Sequence, residues 1–318
     1  MTNLIWLKGG ACSGNTMSFL NAAEPSVIEL VTDFGIRILY HPSIGLEIGE
    51  QIKEVLNEAV SETVPLDIFV FEGSVIQGSN GTGNMNFYAD RPMKDWVTDL
   101  AKVAKYVVAI GDCATWGGIM AVEPNPTDST GMQFKKDQKG GYLGEDFITK
   151  SGFPIINIPG CPAHPDWMTQ ILVAIATGRM DEVLLDHYNR PKTFFTDFVQ
   201  TGCTNATSFA EVIKGDFGKR GGCLFYEVGC RGPMTHASCN RILWNRTSSK
   251  TRANHPCLGC TEPNFPHNDL KKGSVFKTMK YLGQFPKEVP EDESKLLFYF
   301  KTGVRRALSN ESSGASSK

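Results

Sequence analysis

Three cysteines in this chain follow the same local pattern: a short apolar run that ends in glycine, with cysteine within a few residues. Cys12 follows LIWLKGGA, Cys113 follows YVVAIGD and Cys161 follows PIINIPG. Each apolar run is typical of a buried strand. The carboxyl ends of parallel strands meet at one edge of an open sheet, where ligands bind. The pattern therefore predicts that three thiols from distant parts of the sequence converge on one metal site.

The first half of the chain alternates short apolar runs with helical patterns, which predicts a doubly wound parallel sheet. The GxGxxG fingerprint of dinucleotide-binding folds is missing after the first run, where the sequence reads GGACSGNT. We therefore predict a flavodoxin-like α/β fold and no nicotinamide site. The predicted strands are Leu4–Lys8, Val27–Leu30, Asp67–Phe71, Val107–Ile110 and Ile155–Ile158, and the predicted helices are Ser13–Ala22, Glu47–Ala59, Lys94–Lys102 and Asp166–Thr177.

Beyond about Gly178 the periodic pattern fades and cysteines become dense, with six of the nine between Cys203 and Cys260. A segment of this kind is organised around metal. We predict a flavodoxin-like domain over 1–180 and an irregular cysteine-rich cluster-binding domain over 181–268. A C-terminal extension covers 269–318, and its end, SNESSGASSK, is expected to be disordered.

The cysteines themselves leave the metal open. The CxxC at Cys257 and Cys260 lets two thiolates reach one iron–sulfur cluster or one zinc ion. Zinc ribbons pair two such knuckles, whereas this chain has one, and nine thiols divide naturally into three groups of three. An odd number also cannot pair completely in disulfides. The pattern favours iron–sulfur clusters over structural zinc, and over a disulfide scaffold.

Charge and hydropathy limit the partners. The net charge is −2, which gives no indication of nucleic acid as a partner. The sequence has no run of about 18 uninterrupted apolar residues, so it predicts no transmembrane segment. The chain opens into LIWL without a targeting segment, so we expect a cytoplasmic protein. Residues Lys295–Leu308 have the pattern of a short amphipathic helix, which allows peripheral association with a membrane.

Several motifs, in order along the chain, resemble the small subunit of nickel–iron hydrogenases. They are WLKGGACSG, VFEGSV, GDCATWGGI, NIPGCPAHPDW, RPKTFF, VGCRGP and HPCLGCTEPNF, and they cover residues 4 to about 267. The opening motif resembles the cytoplasmic uptake and sensory branch of the family, the group 2 type.

The resemblance implies an electron relay of three iron–sulfur clusters and no catalytic residue on this chain. It implies an obligate large subunit that carries the nickel–iron site, and a higher oligomer of such heterodimers. The electron acceptor is expected to be a quinone or a carrier protein. A regulatory hydrogen-sensing hydrogenase and, more remotely, a zinc-binding non-catalytic protein are the alternatives. By position, the resemblance assigns Cys12, Cys113 and Cys161 to the proximal cluster, Cys203, Cys223 and Cys230 to the distal cluster, and Cys239, Cys257 and Cys260 to the medial cluster.

Two departures from the family pattern bear on cluster type. The first cysteine of the family's opening CxxC falls at Gly9, and the family's histidine at the distal site falls at Gln200. We favour 3Fe-4S clusters at all three sites, each held by three cysteines, and the medial 3Fe-4S cluster follows the family most closely. In the alternative, a non-cysteine group completes a 4Fe-4S cluster: Glu72 or Asp112 at the proximal site, or Gln200 at the distal site.

Two further residues are candidates for cofactor contact. Glu72 follows a predicted strand, and either orders the loops beside the proximal cluster, assists proton transfer or simply anchors a loop. Trp116 comes shortly after Cys113, and either shields the proximal cluster from water or packs in the core.

Overall fold

The computed structural model describes residues 1–207, 223–224 and 230–266. The predicted C-terminal extension, with its candidate helix Lys295–Leu308, lies outside the described residues. The chain forms two compact units. The first comprises Met1–Thr193 with Pro263–Pro266, and the second begins at Phe194 and includes the described residues up to Glu262. The sequence placed this boundary near residue 180.

The first unit contains a sheet of five parallel strands. They are β1 (Thr2–Lys8), β2 (Ile36–Tyr40), β3 (Ile68–Glu72), β4 (Tyr106–Ile110) and β5 (Ile156–Ile158). Their order across the sheet is β2-β1-β3-β4-β5, and every pairing is parallel. This order is that of flavodoxin-like folds, whose ligand crevice lies outside the carboxyl ends of β1 and β3. The predicted fold class is confirmed.

Helices flank the sheet, and short elements decorate its loops. These helices are α1 (Gly14–Leu20), α2 (Val27–Thr32), α3 (Glu50–Val60), α4 (Met93–Val103), α5 (Gly111–Trp116) and α6 (Pro165–Ala176). A further helix, α7 (Lys192–Phe195), spans the boundary between the two units. Short 3-10 helices in the first unit are Gly118–Ala121 and Met180–Glu182. Three antiparallel two-residue pairs join Val75–Ile76 with Ser129–Thr130, Phe87–Tyr88 with Arg91–Pro92, and Phe134–Lys135 with Gln138–Lys139.

The strands are apolar on both sides because both faces of the sheet are buried. On one face, Phe71 belongs to a hydrophobic cluster with Leu56 of α3 and Trp96 of α4. On the other face, the Trp6 ring lies 5.0 Å from the Phe19 ring of α1. This two-sided burial fixes the strands against each other, so the loops at their ends are held at defined positions.

One predicted strand is wrong. Residues Val27–Leu30 lie in helix α2, and the second strand is Ile36–Tyr40. The reason is a capping box, in which the Ser26 hydroxyl accepts the Glu29 N–H at 3.3 Å and the Glu29 carboxylate accepts the Ser26 N–H at 2.7 Å. This reciprocal pair satisfies two backbone donors of a helix start. The local signal therefore outweighs the apolar run.

The described part of the second unit is irregular, as the sequence predicts. It contains two 3-10 helices, Thr204–Thr207 and Gly232–Met234, and two isolated bridges, Phe198 with His236 and Trp244 with Ser248. Among the described residues of the whole chain, no helix is long and apolar enough to cross a membrane.

Candidate metal centres

Strand register brings the first three cysteines to one edge of the sheet. Lys8 pairs with Glu72, Glu72 with Ile110, and Ile110 with Ile158, so the four adjacent strands β1, β3, β4 and β5 end at the same level. Cys12 comes four residues after β1, and Cys113 and Cys161 come three residues after β4 and β5. The sheet therefore delivers Cys12, Cys113 and Cys161 to its carboxyl edge, where the sequence pattern predicted them.

Hydrogen bonds tie the three cysteine-bearing loops together. The Asp112 N–H donates to the Gly160 carbonyl at 3.1 Å, and the Gly160 N–H donates back to Asp112 Oδ1 at 3.1 Å. The Asn15 side chain accepts the Ala163 N–H at 2.8 Å. A Cβ at Gly111 would lie 2.3 Å from Asn15 Nδ2, so only glycine allows this close approach. Asn15 is a positioning residue that the sequence patterns did not single out, because its role depends on contacts 148 residues away.

Glu72 is fully buried beneath this edge and accepts four hydrogen bonds. Its Oε1 accepts the N–H groups of Asn15 at 3.0 Å and Thr16 at 3.3 Å, both in the first turn of α1. Its Oε2 accepts the Thr16 hydroxyl at 2.5 Å and the Trp6 indole N–H at 3.2 Å. The carboxylate thus satisfies backbone donors that a helix start leaves unpaired, and it joins β3 to the segment that follows Cys12.

The thiols at this edge are open to solvent to different degrees. Cys12 and Cys161 are exposed, whereas Cys113 is half-buried. Removal from water, together with the negative charges of Asp112 and Cys12, raises the pKa of Cys113 to about 12. A thiolate at this position therefore needs a compensating cation, which is what bound iron provides.

Trp116 is a core aromatic residue of α5 with 1% exposure. Its ring meets Phe134 edge-on at 5.4 Å and Tyr188 edge-on at 5.3 Å. Its indole N–H has no hydrogen-bond partner among the described residues. The predicted shielding of a proximal cluster by Trp116 remains a prediction.

In the second unit, three cysteines line one cavity. The cavity has a volume of about 300 Å³ measured out to its opening, and its walls include Cys203, Cys223, Cys230 and Gln200. These are the three thiols assigned to the distal cluster, together with the residue at the family's histidine position. Burial raises the pKa of Cys230 well above its usual range, and the neighbouring Cys257 thiolate raises it further.

The remaining three thiols lie close enough to perturb one another. Burial, followed by the charge of Cys260, raises the pKa of Cys257 to about 11. Burial, followed by the charges of Cys260 and Cys257, raises the pKa of Cys239. The Gly259 N–H donates to Cys257 Sγ at 3.4 Å, and Gly259 has φ +75°, which glycine tolerates best. The CxxC turn therefore points an amide donor at its own first thiol.

The zinc alternative requires ligands at about 2.0–2.3 Å from a single ion. Within the part of the chain that the structure describes, no three His, Cys, Asp or Glu side chains are arranged to hold one metal ion. Thiolate sulfur is also the usual ligand of iron–sulfur clusters.

Sequence comparisons match two family models in succession. Residues 12–175 match the NADH ubiquinone oxidoreductase 20 kDa subunit, which accounts for the sheet-bearing unit alone. Residues 195–271 match the C-terminal part of the NiFe/NiFeSe hydrogenase small subunit, which accounts for the cysteine-rich segment. Hydrogenase small subunits that are 30% or more identical also align over at least 83% of this chain, so the chain belongs to the family of nickel–iron hydrogenase small subunits. The resemblance carried by the sequence motifs is confirmed.

Related small subunits align over most of their length. The F420 non-reducing hydrogenase II small subunit of Methanosarcina mazei is 35% identical, over 83% of this chain and 73% of the relative. The uptake hydrogenase small subunit of Azotobacter vinelandii is 30% identical, over 92% and 77% respectively. The crystal structure of the [NiFeSe] hydrogenase from Desulfovibrio vulgaris Hildenborough superposes with a TM-score of 0.71 and 30% identity, over 84% of this chain and 95% of the other.

Family membership settles the coarse function. A nickel–iron hydrogenase small subunit carries iron–sulfur clusters and pairs with a large subunit in an oxidoreductase complex.

Proposed function

We propose that this chain is the electron-transfer subunit of an uptake hydrogenase, in which electrons from H2 oxidation in the large subunit leave toward a quinone or a carrier protein. The observation that supports this proposal is the grouping of the nine cysteines. Three converge at the aligned strand ends, three line one cavity, and three perturb each other's ionisation.

The donor set fits three iron–sulfur clusters. When bound, such clusters supply one-electron transfer over a wide range of potentials. The chain's own contribution is to hold the thiols at fixed positions, to limit water around them and to direct N–H donors at sulfur. The burial of Cys230 and Cys257 limits water around their sulfur atoms, and the Gly259 N–H donates to the sulfur of Cys257.

We propose a 3Fe-4S cluster at the proximal site, held by Cys12, Cys113 and Cys161. A Cβ at Gly9 would lie 2.4 Å from the Ser74 carbonyl oxygen and 2.6 Å from the Phe71 ring, so the position of the family's further cysteine has no room for a side chain. Both oxygens of Glu72 already accept hydrogen bonds, which disfavours its use as a fourth ligand. Completion by Asp112 is the less favoured alternative.

We propose the same cluster type at the distal site. Imidazole suits iron, whereas amide oxygen suits harder cations. Gln200 lies in the cavity wall with the three thiols, and we propose that its amide would donate a hydrogen bond to a cluster sulfur. A 4Fe-4S cluster completed by the Gln200 oxygen is the alternative.

The cluster types bear on the direction of catalysis. A 3Fe-4S cluster with three thiolates and a 4Fe-4S cluster with four carry the same net charge when oxidised, so cluster type is the determinant of potential that separates them, and we expect the three-iron type to have the higher potential. Higher potentials favour removal of electrons from hydrogen over its production. The alignment with the A. vinelandii uptake hydrogenase small subunit is consistent with this direction. The proposal includes a cytoplasmic location with peripheral membrane association, and assembly of several heterodimers.

Electron paramagnetic resonance of the purified complex tests the proposal. Oxidised 3Fe-4S clusters are paramagnetic, so we expect three spins per heterodimer together with iron, sulfide and nickel in the preparation. Integration to a single spin would contradict the proximal and distal assignments. Zinc in place of iron and sulfide would contradict the proposed function itself. Rapid hydrogen-dependent reduction of a quinone analogue supports uptake, whereas slow turnover with a co-purifying kinase supports the sensory alternative.

A further inference from the structure

The medial and distal ligand loops of the second unit are joined directly by backbone hydrogen bonds. The Cys257 N–H donates to Cys230 Sγ at 3.2 Å, and the Arg231 N–H donates to the Cys257 carbonyl at 2.8 Å. A Cβ at Gly232 would lie 3.4 Å from Cys230 Sγ and 3.9 Å from Cys257 Cβ. The two ligand loops are therefore in contact.

Thr235 lies beside both ligand loops. Its hydroxyl has one proton to donate and two possible acceptors of that hydrogen bond. Its Oγ1 is 2.6 Å from the Arg231 carbonyl oxygen, to which it donates, and 3.6 Å from Cys257 Sγ. The residue is 1% exposed. Its own carbonyl accepts the Val199 N–H at 2.8 Å, which fixes the backbone at this point. No water is needed to connect the hydroxyl to either acceptor, because both lie within hydrogen-bond range.

The balance between these acceptors depends on the charge of the sulfur. A free thiol at Cys257 donates its proton to Thr235 Oγ1, and the hydroxyl then donates to Arg231. A thiolate bound to iron has no proton to donate, so it only accepts. Adding one electron to the cluster makes the sulfur more negative, and charge-assisted hydrogen bonds are roughly twice as strong as neutral ones. The reduced state therefore draws the hydroxyl from the carbonyl toward the sulfur.

We propose that Thr235 sets the reduction potential of the medial cluster, by donating its hydroxyl hydrogen bond to the Cys257 sulfur when the cluster is reduced. This inference rests on the proposed function, since it requires a cluster at Cys239, Cys257 and Cys260. Hydrogen bonds to ligand sulfur are an established determinant of cluster potential. Thr235 acts through Cys257 and so is a positioning residue. The Gly259 N–H remains as a second donor at 3.4 Å, so the cluster keeps one hydrogen bond when the hydroxyl is removed.

The test is a redox titration of the purified complex with its large subunit, followed by electron paramagnetic resonance. The medial signal is first identified by its loss in a Cys239→Ser complex. In Thr235→Val, a nearly isosteric change, we expect about a fivefold fall in the ratio of reduced to oxidised medial cluster at a fixed potential, the size of one net hydrogen bond. This corresponds to about 40 mV at 59 mV per tenfold. Thr235→Ser retains the hydroxyl and should keep the original midpoint.

Thr169→Val is the matched control, because Thr169 is also fully buried and its hydroxyl donates to a backbone carbonyl, that of Asp166, in the first unit. It should leave the medial midpoint unchanged. An unchanged midpoint in Thr235→Val, with full iron and sulfide content, would overturn the inference and leave the proposed function intact. Absence of clusters from the unsubstituted complex would instead overturn the proposed function. If Thr235→Val fails to assemble, Thr235→Ala takes its place, and an unchanged midpoint there overturns the inference equally.

Discussion

Replacing Gly9 with cysteine would supply the thiol that the family resemblance predicts at this position, yet we expect it to destabilise the protein and to leave the proposed proximal cluster unchanged. The Cβ would lie 2.4 Å from Ser74 O, about 1 Å closer than ordinary contact, and 2.6 Å from Phe71 Cζ. The backbone cannot easily yield, because the Gly9 N–H donates to the Glu72 carbonyl at 2.8 Å. Overpacking of this kind costs about 1–3 kcal/mol.

For a unit of this size, that cost lowers the melting temperature by about 2–12 °C. The assay is differential scanning fluorimetry of the complex, with resonance spectra of the oxidised protein to count three-iron clusters. Ala11→Cys is the control, because it adds the same thiol to the same loop. Ala11 is exposed and already has a Cβ, so this change should cause no overpacking. The reasoning is refuted if Gly9→Cys melts at the wild-type temperature and loses one three-iron signal, because the thiol would then have entered the site without strain.

Three further changes probe the charged and polar residues. Glu72→Gln replaces a carboxylate that accepts four hydrogen bonds with an amide that is partly a donor. We expect the free energy of unfolding to fall by about 1–3 kcal/mol in denaturant unfolding, and iron analysis to show that proximal iron is lost first. Unchanged stability would contradict this prediction. Gln200→His supplies an imidazole in the distal cavity, so we expect it to complete a four-iron cluster and to reduce the number of spins in the oxidised protein from three to two. Gln200→Asn supplies no imidazole and should keep three spins. If both variants keep three spins, Gln200 is not part of the cluster site. Burial, and then the charge of Lys8, lowers the pKa of His41 to about 4, so the folded state resists a proton that the unfolded chain binds below pH 6.5. The free energy of unfolding should therefore fall as pH drops from 6.5 toward 4, by about 2 kcal/mol at pH 5. His41→Gln should remove this part of the pH dependence. Equal pH dependence of stability in the two proteins would show that the charge of His41 does not matter.

The convergence of the proximal thiols was predictable because it depends on a simple rule of sheet geometry. Apolar runs before Cys12, Cys113 and Cys161 identify strands, and parallel strands present their carboxyl ends on one edge. The family motifs then supplied the grouping of the other six cysteines. Neither argument required knowledge of side-chain contacts.

Other features were out of reach of the sequence because they depend on contacts between distant residues. Nothing local marks Asn15 as the residue that holds the loop after Cys161, or Thr235 as a neighbour of Cys257. The steric exclusion at Gly9 comes from Ser74 and Phe71, more than sixty residues later. The helix at Val27–Thr32 was missed for the opposite reason, since its capping box is a local signal that an apolar run obscured.

The unequal enclosure of the thiols has a consequence for how the holoprotein matures. Cys12 and Cys161 lie open at the rim of a finished sheet, so an iron–sulfur donor can reach them after that unit has folded. Cys230 and Cys257 are buried, so we expect the same donor to reach these two thiols less readily than the exposed pair.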